Sequence, residues 1–319
     1  MVPAISPTSS RQPKVSVVMP TYNRAFIIRE ALESALAQAY ENFEIVVVDD
    51  ASTDDTEQVV KNIGSDKIRY LRHDVNGGCS AAYNTGIKQA KGELIAFLDS
   101  DDLWKAGYLE RQTKFLDQHP EVDVVFCDTE TREPEGTLPS LMPLMRVFPD
   151  LIHRRAGTVE YTVPSRQMYL CLLQEIPVKP TAALVRREMF DRVGFFDEGW
   201  PSGTDWDLFL RLSRVANFGY IDQALAVQQR VGNATHQQFR EKDKLFLILT
   251  FTREKANLSG DRSALRDVNR GISHLYNSLA WTYLQSGRRS QALSTYYQGF
   301  KETTQPFLLR KMIAALIHR

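Results

Sequence analysis

The sequence predicts an α/β protein built on a mostly parallel sheet flanked by helices, with an α-helical C-terminal extension. Three observations carry this prediction. From about residue 14 to Asp128, apolar β-branched runs of strand length alternate with amphipathic helical stretches, the pattern of βαβ units. Three of those runs end in polar or acidic clusters, and in open α/β sheets ligands bind outside the carboxyl ends of the strands. Beyond about Asn233 strand signals fade and helical periodicity takes over.

Taken in order, residues 1–13 are polar and rich in Pro and Ser, a disordered lead. Residues 15–19 form the first strand, which ends in Pro20, Thr21, Tyr22, Asn23 and Arg24 ahead of an amphipathic helix. Residues 45–48 form the second, ending in Asp49 and Asp50; the Ser, Thr and Asp residues after it supply N-cap candidates for a helix through Gln58 and Lys61. The third, residues 94–98, delivers Asp99, Asp101 and Asp102. Residues 122–127 are a fourth strand. From Thr129 to Asp150, Pro134, Gly136, Pro139, Pro143 and Pro149 predict a long loop of the kind used as a lid. A helix near residue 165, a strand at 181–185, a helix at 208–215 and a last strand at 219–227 follow. In the C-terminal part, 244–255 and 268–319 read as helices. There Ala280, Trp281, Tyr283, Leu284, Gly287, Ala292 and Tyr296 resemble one tetratricopeptide-like hairpin turning at Gly287. One such unit cannot stack into a solenoid, so packing against the sheet region is expected. The division is thus 1–13, 14–235 and 236–319.

Composition narrows the function. Lys plus Arg and Asp plus Glu both number 39, so no global field recruits nucleic acid or an anionic membrane. Cys79, Cys127 and Cys171 have no metal-type spacing and are expected as free, buried thiols in a reducing compartment. No run reaches the roughly 18 apolar residues of a membrane span. A cytoplasmic protein is expected, with the basic, apolar helix at 308–317 as a candidate peripheral contact with the inner membrane face or a partner. A dinucleotide-binding oxidoreductase would need Gly-x-Gly-x-x-Gly after the first strand, and Pro20 to Arg24 lack it.

The acids carry the chemistry. Crowded carboxylates at the end of a buried strand repel one another unless a cation or hydrogen-bond donors hold them. Oxygen ligands of this kind suit magnesium or manganese, which keep positions for water and substrate phosphates. A solvated acidic turn capping the next helix is the plain alternative for one such cluster. A second strand of the same design, ending in Asp49 and Asp50, argues against it.

Along the chain stand Val17-Val18-Met19-Pro20-Thr21-Tyr22-Asn23-Arg24, Val48-Asp49-Asp50-Ala51-Ser52-Thr53-Asp54, Asn76-Gly77-Gly78, Asn84-Thr85-Gly86, Phe97-Leu98-Asp99-Ser100-Asp101-Asp102, Gly194-Phe195-Phe196-Asp197-Glu198 and Asp205-Trp206-Asp207. In order and spacing this set resembles the family 2 glycosyltransferases with the GT-A nucleotide-sugar fold, over about residues 14–232. The resemblance implies inverting, metal-assisted transfer of a sugar from a nucleotide-diphosphate sugar, a UDP-sugar, to a hydroxyl of a glycan or lipid-linked acceptor. It implies a nucleotide-sugar site of Pro20, Thr21, Tyr22, Asn23, Arg24, Asp50, Asn76, Gly78, Asn84, Asp99, Ser100, Asp101 and Arg230. Asp101 or Asp102 is implied as the ligand of Mn2+ or Mg2+ and Asp205 as the general base; Trp200 and Trp206 flank that base with indole faces suited to an acceptor sugar, packing in the core being the alternative for Trp206. Three departures stand out. Thr204 replaces the Glu that usually precedes the base. Tyr83 replaces an Arg suited to diphosphate, for which Arg72 or Lys88 are the candidate substitutes. Gln228 and Gln229 stand where relatives place a metal-ligating His, with His236 as a later candidate. These departures motivate the alternative of a glycosyltransferase-like scaffold that acts through its helical C-terminus.

Overall fold

The computed structural model describes residues 12–133, 136–152, 157–200, 203–230, 234–258 and 260–317, with only the backbone at 234–240. The lead at 1–11 and the side chain of His236 lie outside the described residues.

The elements run β1 (Val15–Thr21), α1 (Ile28–Leu36), β2 (Phe43–Asp49), α2 (Thr56–Lys61), β3 (Ile68–Arg72), α3 (Cys79–Gln89), β4 (Leu94–Phe97), β5 (Leu103–Trp104), α4 (Tyr108–Gln118), β6 (Val124–Glu133), β7 (Gly136–Leu138), α5 (Phe148–Ile152), β8 (Glu160–Val163), α6 (Ser165–Leu172), β9 (Ala183–Arg186), α7 (Met189–Val193), α8 (Thr204–Ser213), β10 (Phe218–Gln229), α9 (Ala234–Asn257), α10 (Arg262–Gln285), α11 (Arg289–Thr303) and α12 (Pro306–Ile317). The sheet order is β3-β2-β1-β4-β9-β6-β10-β5, with β7 on β6 and β8 on β10. Strands β1, β2 and β4 are buried nearly throughout, as their unbroken apolar runs require when helices cover both faces.

One expectation needs correction: the sheet is mixed. Pairs β1/β2, β1/β4, β2/β3 and β6/β10 are parallel, but β9 runs antiparallel to both β4 and β6. Strand β9 returns to the middle of the sheet after the excursion through β7, β8 and α6, and it enters from the opposite end. The proline-rich stretch is also more ordered than a loop. Strand β6 continues to Glu133 and turns back as β7. The Asp128 carboxylate then accepts from the Thr129 (2.8 Å) and Leu141 (3.0 Å) amides and the Ser140 hydroxyl, pinning the return.

Two apolar layers cover the sheet. On one face α1 and α4 bury Ile28, Leu32, Tyr108, Leu109 and Phe115 against Val17, Met19 and Ile45. On the other, α3, α6, α7 and α8 share one continuous core with α10 and α11. Helix α3 lies directly on β1: a β-carbon at Gly86 would come within 2.2 Å of Val18 Cγ1. The C-terminal helices are fastened as closely, since a β-carbon at Gly271 in α10 would meet the Leu173 carbonyl at 2.1 Å. Glu254 of α9 adds a buried polar tie, accepting from Tyr169 Oη (2.7 Å) and from Arg214. Helices α10 and α11 form the expected hairpin with Gly287 at positive φ, and Ala280, Tyr283, Ala292 and Tyr296 are buried. Trp281 is exposed instead. The cysteines are free; Cys127 and Cys171 are buried, but Cys79 is exposed, against expectation. Among the described residues no helix is long and apolar enough to cross a membrane.

Candidate functional site

Strand β1 lies between β2 and β4, so the three polar strand ends emerge side by side. Pairing of Thr21 with Asp49 and of Val18 with Phe97 brings Asp49, Asp50 and Asp99 beside the segment that starts at Pro20. That segment is stitched to the loop after β2. Asn23 N donates to Ser52 Oγ (2.9 Å), Thr53 N to Asn23 Oδ1 (2.7 Å), Arg24 N to Thr56 Oγ1 (2.9 Å), and Ala25 N to Asp54 Oδ2 (3.0 Å). Pro20 and Thr21 are buried within β1, whereas the Tyr22 ring is 46% exposed over this floor.

Asp50 is buried and its carboxylate holds the next loop. Oδ1 accepts from Gly77 N (2.9 Å) and contacts His73 Nδ1 (2.7 Å); Oδ2 accepts from Gly78 N (2.7 Å). Asn76 Nδ2 donates to the Asp50 carbonyl (3.0 Å). A carboxylate offers about four acceptor directions, so one remains for a base N–H. His73, whose other nitrogen meets Thr85 Oγ1 at 2.9 Å, was not foreseen; a lone His after a strand carries no signal in sequence. Neighbouring Asp49 is wholly structural, accepting from Ser52 N (2.7 Å), Arg72 (3.3 Å) and Tyr70.

The acids after β4 separate into distinct environments. Asp99 Oδ1 accepts from Tyr83 Oη (2.6 Å), and burial, followed by the charge of Asp101, pushes its carboxyl up to about 7. Asp101 pairs with Arg24 Nη2 at 3.4 Å. Asp102 is buried; Oδ1 accepts from Gln229 N (3.0 Å), and Oδ2 has no hydrogen bond of normal geometry. Burial, and then the charges of Asp99 and Asp101, raise its carboxyl well above the usual range. Ser100 is buried between them. Of the three acids, Asp101 alone has an ion-pair partner among the described residues.

Asp205 stands in the first turn of α8. Its charge acts on Asp99 across the crevice and on Asp243 of α9. Helix α8 starts against α3 through Thr204 Oγ1 and Ser80 Oγ, 2.9 Å apart, so the residue standing for the usual Glu makes a buried hydroxyl pair. Trp200 lies near Asp205 in sequence and packs its ring on Phe246 of α9, centroids 4.9 Å apart.

Several expected site residues are otherwise engaged. The Asn84 amide is spent on the loop before α8: Nδ2 donates to the Phe196 carbonyl (2.9 Å) and Glu198 (2.7 Å), and Oδ1 accepts from Phe196 N (2.9 Å). It positions that loop, with both amide hydrogens used and one acceptor direction of Oδ1 left. Trp206 turns into the core, its Nε1 donating to the Leu172 carbonyl (2.7 Å) and its ring edge-on to Phe251, so it is a packing residue and no acceptor platform. Tyr83 is buried on Phe196. Lys88 lies over Phe195 at the far end of α3 and does not substitute for the missing Arg. Arg72 is held by Asp49 and the Ser52 carbonyl (2.7 Å). Arg230, at the rim beyond β10, pairs with Glu133 (2.7 Å).

Comparison with known proteins gives the family and the fold. The family model described as Glycosyl transferase family 2 matches residues 16–194. An uncharacterised glycosyltransferase of Rickettsia felis is 34% identical over 223 residues, 68% of this chain and 34% of that protein. The Escherichia coli UDP-Glc:alpha-D-GlcNAc-diphosphoundecaprenol beta-1,3-glucosyltransferase WfgD is 41% identical over 102 residues, 32% of this chain and 40% of the enzyme. The chain spans between 30% and 65% of the Rickettsia relatives' length. In fold, it is similar to S. aureus TarS 1-349 in complex with UDP-GlcNAc, with TM-score 0.66, 22% identity, and 91% and 81% of the two chains covered. It is also similar to the mannosyltransferase PcManGT from Pyrobaculum calidifontis in complex with GDP-Man and Mn2+, with TM-score 0.56, 21% identity, and 98% and 88% covered.

Proposed function

The chain belongs to glycosyl transferase family 2, and from that premise we propose that it moves a sugar from a UDP-sugar to a hydroxyl of a glycan or lipid-linked acceptor, with inversion and with the help of a divalent cation. The observation that carries the reading is Asp205 in the first turn of α8, near enough for its charge to act on Asp99 after β4. A base on one side and a phosphate-facing acid cluster on the other is the layout of a single in-line displacement.

On the donor side, the exposed Tyr22 ring is placed to stack on the base, and the remaining acceptor direction of Asp50 to take a ring N–H. Asp99 and Asp101 face the ribose and diphosphate. Arg24, already beside Asp101, supplies a cation in place of the Arg that Tyr83 displaces. The acids fit a magnesium- or manganese-type ion. Among the described residues no three His, Cys, Asp or Glu side chains converge into a full cage, and these ions take one or two carboxylates plus phosphate oxygens and water. The orphaned Oδ2 of Asp102 and the Asp101 carboxylate are the donors that would hold it. Bound there, it would neutralise the departing diphosphate.

On the acceptor side, Asp205 removes the hydroxyl proton as the acceptor oxygen attacks the anomeric carbon. The bond to the diphosphate breaks, and its electron pair leaves with the nucleotide. Support for the donor comes from the TarS complex with UDP-GlcNAc and the UDP-Glc of the E. coli relative's name; support for the ion comes from the Mn2+ of the mannosyltransferase complex.

The test is a panel of UDP- and GDP-sugars assayed for nucleotide release with manganese, on wild type and Asp205→Asn. Turnover should fall by roughly a hundredfold to ten-thousandfold in the variant with donor affinity kept. Product NMR should show inverted configuration. Retention, or an Asp205→Asn enzyme as fast as wild type, refutes the assignment.

A further inference from the structure

The C-terminal helices do more than cover the sheet. Gly203, just before α8, sits against α9: a β-carbon there would lie 3.3 Å from Phe246 Cδ1 and 3.8 Å from both Cα and O of Asp243. The middle of α9, around Asp243 and Phe246, therefore abuts the start of α8, two residues from Asp205. Together Trp200, Phe246 and Asp243 form the wall on that side. Among the described residues the buried Asp243 Oδ1 has no hydrogen-bond partner, although buried carboxylate oxygens are almost always satisfied. Its neighbour Lys244 is turned away, with Nζ on the Ser278 carbonyl (3.1 Å) and Thr282 Oγ1 (2.6 Å) of α10.

We propose that Asp243, from α9, is a positioning residue for Asp205 and supplies from the C-terminal helices the acidic neighbour that Thr204 no longer provides. The inference rests on Asp205 being the base. When the acceptor O–H breaks and its proton passes to Asp205, the new carboxylic acid O–H donates to Asp243 Oδ1, an acceptor left open for it. The acceptor oxygen meanwhile forms its bond to the anomeric carbon, and the diphosphate leaves with its electron pair. The empty acceptor and the facing acid are a local cost that a purely structural residue would not carry. Burial, followed by the charge of Asp205 on α8 and against the opposing pull of Lys244 on its own helix, pushes the Asp243 carboxyl up to about 6.

The experiment compares Asp243→Asn, Asp243→Glu and Asp205→Asn with the full chain, in nucleotide release from the donors of the panel and in thermal unfolding. Asp243→Asn, which keeps an acceptor oxygen but loses its charge, should lower kcat roughly tenfold, the difference between a hydrogen bond to a charged and to a neutral acceptor, with the donor KM unchanged. Asp243→Glu should restore most of it. With the carboxyl raised from 3.8 to about 6, the folded state loses stability as pH rises through that window. Asp243→Asn should therefore raise the melting temperature by on the order of 2 °C at pH 8 and by less at pH 5. A melting temperature that falls in Asp243→Asn, or a kcat that stays at the wild-type value, overturns the proposal. If Asp205→Asn is fully active the base assignment fails separately. If wild type turns over no donor of the panel, the function from which the role of Asp243 is argued fails, and the proposal falls with it.

Discussion

At Asp50, one carboxylate meets Gly77 N, Gly78 N and His73 while almost excluded from water. Its residue type was legible in the sequence as a strand-end acid, but the three donors come from residues 23 to 28 positions away and could not be read there. Replacing it with Asn keeps the shape and puts an NH2 group where at least one amide also donates. A buried donor facing a donor costs about 1–3 kcal/mol. Asp50→Asn should therefore lower the unfolding free energy by about that much and weaken nucleotide binding, as denaturant titration and calorimetry would show; unchanged values for both would mean the loop is held by other contacts. The same distinction explains Asn84 and Trp206. Their positions in the motif string were correct, yet a side chain's last hydrogen bond depends on what the fold places opposite it, here the Phe196 backbone and the Leu172 carbonyl.

At the scale of elements, the strands that end in acids were legible because β-branched burial leaves a strong local pattern, and β1, β2 and β4 are where that pattern placed them. Direction was not legible. Nothing in residues 181–185 says that β9 enters the sheet antiparallel, because that depends on the excursion before it rather than on its own side chains. The seating of α10 was equally hidden, since one Gly in a helix carries no message about its neighbour. Gly271 now makes a sharp prediction. Ala there is the better helix former by about 1 kcal/mol, yet its methyl would overlap the Leu173 backbone carbonyl, which has no rotamer to escape through. Gly271→Ala should destabilise by roughly 1–3 kcal/mol through overpacking. It should also increase proteolysis within α9 to α12 first; a variant as stable as wild type would show that α10 is free to shift.

For the whole molecule, the balance of charge hides a separation. Net charge is zero over the chain, but the crevice concentrates Asp99, Asp101, Asp102 and Asp205 around Arg24. Like charge crowded in this way is relieved by a bound cation. UDP with manganese should raise the melting temperature, by about 2.7 kcal/mol of added stability at a hundred times the dissociation constant, and far more than UDP with chelator. An equal shift with and without the metal would separate nucleotide binding from the acid cluster.

The contact between α8 and α9 has a further consequence for how such a protein diversifies. The family match ends at residue 194, whereas the wall beside Asp205 is built from α9, well beyond it. The floor under the donor is a laced set of loops in which one change disturbs several neighbours. The opposite wall is one face of a helix, where side chains are exchanged singly. On the proposed function, exchanges along this face of α9 are expected to alter acceptor use before donor binding, and a chimaera carrying another relative's C-terminal helices on residues 14–230 would test it.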